Sequence, residues 1–228
     1  MTFVSHLATY IQHMIVMKNK LLALEFLLLC ICLPSVIIAF RFAPYMFFFL
    51  WSATLYCFFI LRFKHNEHFL DIWKWKSVTW SNMKPILIRF VIATIGMVAF
   101  IYAVDPDRIF GIVRDRPQII PFLLVIYPVL SALPQEFIFC SFFFERYQKF
   151  FPRTITMILA SALVFAFAHV LYINWIAPLL SFIAGIIFAT TYAKTKSLAL
   201  VTIEHGLYGN ALFLVGLGWY FYGGAVAQ

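Results

Sequence analysis

Long apolar runs separated by short polar punctuation fill the chain, at about residues 21–40, 43–61, 85–104, 119–144, 153–172, 176–192 and 198–222. Each reaches or approaches the roughly 20 residues that an α-helix needs to cross the hydrocarbon of a bilayer. None shows the period-two alternation of a membrane barrel strand, and an open sheet in lipid would leave backbone groups unpaired. The pattern therefore predicts an all-α fold, a polytopic transmembrane helix bundle of about seven or eight helices. The eighth comes from the long fourth run, where Pro134 removes a helical hydrogen bond and is expected to kink or divide the segment. Only 62–84 and 105–118 read as sizeable loops. The first carries Trp73, Trp75 and Trp80 among lysines, which suits a helix lying at the headgroup boundary. The expected division is 1–118 as N-terminal membrane helices with a cytoplasmic loop at 62–84, 119–222 as a membrane core that carries the chemistry, and 223–228 as a short tail.

Composition agrees. Of the residues, 64% are hydrophobic and only 11% charged, with a mean hydropathy of +0.94, against about 25% charged in a soluble domain. A net charge of +8 raises nucleic acid or anionic lipid as partners, but the basic residues punctuate apolar segments instead of forming one face, so no nucleic-acid partner is expected. With the N-terminus inside, Lys18, Lys20, Arg62, Lys64, Lys74, Lys76, Lys84, Arg146, Lys149, Arg153, Lys194 and Lys196 fall on the cytoplasmic side. Arg41, Arg108, Arg114 and Arg116 fall outside. That excess predicts a cytoplasmic N-terminus and an external C-terminus. Cys30, Cys32, Cys57 and Cys140 all lie in apolar stretches without a CxxC pair, so neither disulfides nor a zinc knuckle is implied. The N-terminus lacks the pattern of a cleaved signal peptide, and the first span is expected to anchor the chain.

A charged side chain inside a span costs about 2.5–3.5 kcal/mol on insertion scales, which makes each one a functional candidate. Glu25 and Arg89 lie near span starts, where snorkelling or pairing accounts for them. Glu136, His169 and His205 lie deeper, on three separate C-terminal segments, with Glu204 beside His205. A carboxylate and an imidazole can deprotonate water while a second imidazole stabilises an oxyanion. Two histidines and a carboxylate are also a zinc ligand set, although no HExxH helix is present. On chemistry alone, hydrolysis, proton-coupled transport and a structural polar cluster stand level.

Three motifs change that balance. QEFIFC, from Gln135 to Cys140, FAFAH, from Phe165 to His169, and HGLYGN, from His205 to Asn210, follow one another in order within apolar spans. They resemble the EExxxR, FxxxH and HxxxN motifs of the CPBP family, the CAAX-processing and bacteriocin-processing (Abi-type) intramembrane endopeptidases, over roughly residues 119–222. The resemblance implies a multi-pass protein of a bacterial inner membrane that hydrolyses membrane-embedded or lipidated peptides or proteins. It implies Glu136 and His169 as activators of the attacking water and His205 with Asn210 as holders of the oxyanion. No cofactor is implied, zinc standing as the alternative. The chain departs from the motifs where Gln135 replaces the first glutamate, Cys140 the arginine and Gly209 the asparagine four residues after His205. Phe165 and Glu204 are motif positions without an assigned role, and Arg146 is a candidate substitute for the missing arginine. Beside the protease stand two alternatives: a catalytically impaired relative that binds membrane peptides or proteins, and a proton-coupled carrier, for which the inverted repeats common in transporters are missing.

Overall fold

The computed structural model describes residues 16–221; the expected tail at 223–228 lies outside them. Among the described residues, seven helices are long and apolar enough to span a bilayer: α1 Val16–Ala39, α2 Ala43–Lys64, α3 Trp80–Val104, α4 Pro117–Tyr147, α5 Thr154–Tyr172, α6 Ile176–Thr195 and α7 Leu198–Val215. No strand occurs among the described residues. The chain is a multi-pass membrane protein built as an all-α bundle.

Proline chemistry shapes the helices that carry the site. The fourth apolar run is not divided: α4 continues through Pro134, because the backbone widens into a π-helical segment, Pro128–Ala132, just before it. There the Leu133 N–H reaches back to the Pro128 carbonyl. A proline cannot donate to the carbonyl four residues earlier, so Pro134 frees that of Leu130 and Pro128 frees that of Leu124. Both are satisfied from other helices: the Trp51 indole N–H donates to Leu130 at 3.1 Å, and the Asn210 amide donates to Leu124 at 3.2 Å. In a membrane such rescue by neighbouring helices is what makes an internal proline tolerable. The same Leu-Pro pair recurs in α1, where a π-helical segment Leu28–Cys32 precedes Pro34.

The innermost packing is made by α5, α6 and α7. Gly185 of α6 sits so close to Ala162 of α5 that an added Cβ would stand 2.9 Å from the Ala162 Cα, the close approach that small residues permit in membranes. The loop between α2 and α3 is helical but more tightly wound than an α-helix. It forms two 3₁₀ segments, Asn66–Trp73 and Trp75–Ser77, interrupted by Lys74 in a left-handed conformation with φ 41°. Trp73 and Trp75 stack with ring centroids 5.5 Å apart. The Ser197 hydroxyl, between α6 and α7, donates toward the carbonyls of Trp73 and Lys74 at 3.0 and 3.2 Å. That ties the loop to the turn before the helix that carries His205.

Candidate active site

Between α3, α4, α6 and α7 lies a cavity of about 780 Å3 with a largely apolar wall. Gln135, His169 and His205 face it from three different helices, together with Tyr127 and Tyr172. A smaller chamber of about 140 Å3, walled mainly by α1, α2 and α4, meets this wall at Ser131, Gln135, His169 and Tyr172.

Glu136 is fully buried but is not part of the cavity wall. Adjacent helical residues point about 100° apart, and the turn presents Gln135 to the cavity and Glu136 to α7. There Glu136 Oε1 lies 2.7 Å from His205 Nδ1. An ionised carboxylate only accepts, so Nδ1 carries the hydrogen, and in the neutral imidazole Nε2 is left as the acceptor. The Tyr127 hydroxyl donates to that Nε2 at 2.9 Å. His205 also stacks on Phe188, with centroids 4.5 Å apart, which fixes the ring plane.

His169 is held in a parallel way. Its Nδ1 lies 2.7 Å from the Phe165 carbonyl, which can only accept, so Nε2 is again the acceptor. Phe165 thereby gains a role: its carbonyl orients one imidazole, and its buried ring lies 4.5 Å from the His169 ring and 5.9 Å from the His205 ring. Gln135 donates to the Ser131 hydroxyl at 2.9 Å, leaving its buried Oε1 without a partner.

Asn210, expected beside the oxyanion, is spent on the Leu124 carbonyl that Pro128 frees, and it does not line the cavity. The position four residues after His205 is Gly209, and a Cβ there would run into the Tyr127 ring. Tyr127 thus occupies the space that a side chain at 209 would take. Sequence reading passed over this tyrosine because it lies outside every motif; the signal available was the glycine standing where the motif has asparagine.

The remaining intramembrane charges pair across the bundle. Arg146 forms a two-pronged ion pair with Glu25 of α1 at 2.8 and 2.7 Å, joined by Tyr56 at 3.1 Å. It therefore does not take the place of the arginine missing at 140. Arg89 of α3 instead reaches Glu204, which is fully buried, at 2.8 Å and Thr191 at 2.9 Å. Cys140 is buried against Glu136 and within the field of Glu204. Among the described residues no group of three His, Cys, Asp or Glu side chains is placed to hold a metal ion.

Residues 117–211 match the family model of the Rce1-like proteins, described as type II CAAX prenyl endopeptidase Rce1-like. The matched segment is similar to the CAAX proteases. The match bears out the resemblance read from the three motifs, and it covers α4, α5, α6 and most of α7 while leaving α1 to α3 outside. No curated protein and no solved structure matches the chain.

Proposed function

We propose that this chain is a CAAX-type intramembrane endopeptidase that hydrolyses a membrane-associated, lipidated peptide or protein within the 780 Å3 cavity. The observation that carries the reading is the 2.7 Å hydrogen bond between Glu136 and His205 Nδ1, behind a cavity that both histidines face. A water beside His205 gives its proton to Nε2 and attacks the peptide carbonyl, while Glu136 stabilises the imidazolium that forms. The same Nε2–H then protonates the leaving amine. His169, its Nδ1 hydrogen fixed by Phe165, offers a second acceptor to orient the water. Glu136 acts here through His205 rather than on the water, and so fills a positioning role. By the distribution of basic residues, the N-terminus and the loop 62–84 lie on the cytoplasmic side of the membrane.

One observation favours the second reading, a relative that binds such peptides without cutting them: the motif position that faces the cavity is Gln135, which cannot act as a base. The full chain in lipid nanodiscs, given an internally quenched farnesylated peptide ending in a CAAX sequence, separates the two. Cleavage that disappears in both Glu136→Ala and His205→Ala supports the endopeptidase. A native protein that binds the peptide without cutting it, and a Gln135→Glu, Cys140→Arg variant that gains cleavage, would establish the binding relative.

A further inference from the structure

The two neutral imidazoles offer the cavity no hydrogen-bond donor of their own. Glu136 takes the Nδ1 hydrogen of His205 and the Phe165 carbonyl takes that of His169, so each neutral ring turns an acceptor toward the reacting space. An oxyanion needs donors, and in acyl transfer one well-placed donor is worth about a hundredfold to a thousandfold in rate. Asn210 lies off the cavity wall, one N–H of its amide held by the Leu124 carbonyl. The Gln135 amide is turned to Ser131. The hydroxyl that touches the base is that of Tyr127, 2.9 Å from His205 Nε2 on the cavity wall. Its ring is buttressed edge-on by Phe213 at 5.4 Å and fits where Gly209 leaves no side chain.

We infer that Tyr127 is the oxyanion donor of this site, its hydroxyl doing from α4 what an asparagine on α7 would do from position 209. The inference rests on the endopeptidase reading. In the resting site the hydroxyl donates to His205 Nε2. When water takes that place, its oxygen bonds to the carbonyl carbon, its proton passes to Nε2, and the carbonyl π pair moves onto the oxygen. That oxyanion then accepts the Tyr127 O–H. Collapse re-forms the carbonyl, breaks the C–N bond and returns the proton from Nε2–H to the amine, so that one peptide and one water give one acid and one amine. The tyrosine keeps its own proton throughout.

The test is Tyr127→Phe in the full chain, with cleavage of the quenched farnesylated peptide followed as kcat and KM separately. The expected result is a fall in kcat of about a hundredfold or more at nearly constant KM, because the hydroxyl acts on the transition state and not on the bound substrate. The pair Tyr127→Ala with Gly209→Asn, which vacates the ring and puts an amide on α7, is expected to recover at least about tenfold over Tyr127→Ala alone, part of the donor's worth. An unchanged kcat in folded Tyr127→Phe overturns the inference while leaving the endopeptidase standing. If Tyr127→Phe does not fold, the swap decides, and no recovery overturns the inference. A native protein that cuts nothing overturns the endopeptidase reading first and this inference with it.

Discussion

The N-terminal and C-terminal helices of this bundle contrast in how much of themselves they hide. In α1 and α2 only 11% of the most apolar window is buried by protein, and in α3 17%, whereas the share rises through 28%, 33% and 44% to 61% in α7. The most apolar span, α1, is among the least buried and the least apolar, α7, is the most buried, so hydrophobicity does not draw the helices inward. In lipid an apolar side chain is as comfortable against an acyl chain as against another helix, and what draws helices inward is the polar groups that must find partners. The C-terminal helices carry Glu136, His169, Glu204 and His205 and pack closest. The N-terminal helices pack on that core through buried side chains such as Cys57, Leu61 and Ile101 and pair with it at polar points that include Glu25 on Arg146, Trp51 on Leu130, and Arg89 on Glu204.

The contrast breaks first at the chemistry. Glu136→Ala is expected to lower cleavage by about a hundredfold to ten-thousandfold, the worth of a general base left without orientation. A peptide-cleavage assay on protein with native helicity checks it. Arg89→Gln is the next largest and asks whether the N-terminal half is only a wrapper. Removing one partner of a buried ion pair costs about 3–5 kcal/mol, and the low end, about 3, applies because roughly a third of the Arg89 side chain is exposed. Unfolding in mixed micelles measures this, and a cost below about 1 kcal/mol, that of a surface pair, would deny Arg89 a structural role. Gly209→Ala should cost about 1–3 kcal/mol through overpacking against Tyr127, again read by unfolding. Ile92→Ala, on the outward face of α3 with 65% of the residue exposed, should stay within about 0.5 kcal/mol. A large loss there would mean that this face is covered by protein rather than lipid.

The spans and their order follow from apolar run length alone, because a bilayer admits few alternatives to a helix of about 20 residues. The motif segment was legible too, since each motif is local and its residues are consecutive. What escaped local reading was direction. Whether Gln135 or Glu136 turns to the cavity depends on the winding of α4, and that winding depends on how Pro128 and Pro134 are accommodated by π-helical turns. The carbonyls those prolines free must be satisfied by whatever helix lies beside them. So Asn210, a motif residue with an expected catalytic role, is drawn to the Leu124 carbonyl, and Trp51, which no motif marks, to that of Leu130.

By itself the sequence determined that this is an all-α membrane bundle and that residues 117–211 carry a CAAX-protease pattern, because span length and consecutive motifs are properties of the chain. Only the tertiary structure decided that Glu136 serves His205, that Arg89 compensates Glu204 from a helix outside the family match, and that Tyr127 fills the place beside Gly209. The physical reason is common to all three. Within hydrocarbon a donor, acceptor or charge is drawn to the nearest suitable group in space, and for these three that nearness is set by helix winding and packing across as many as 115 residues of separation.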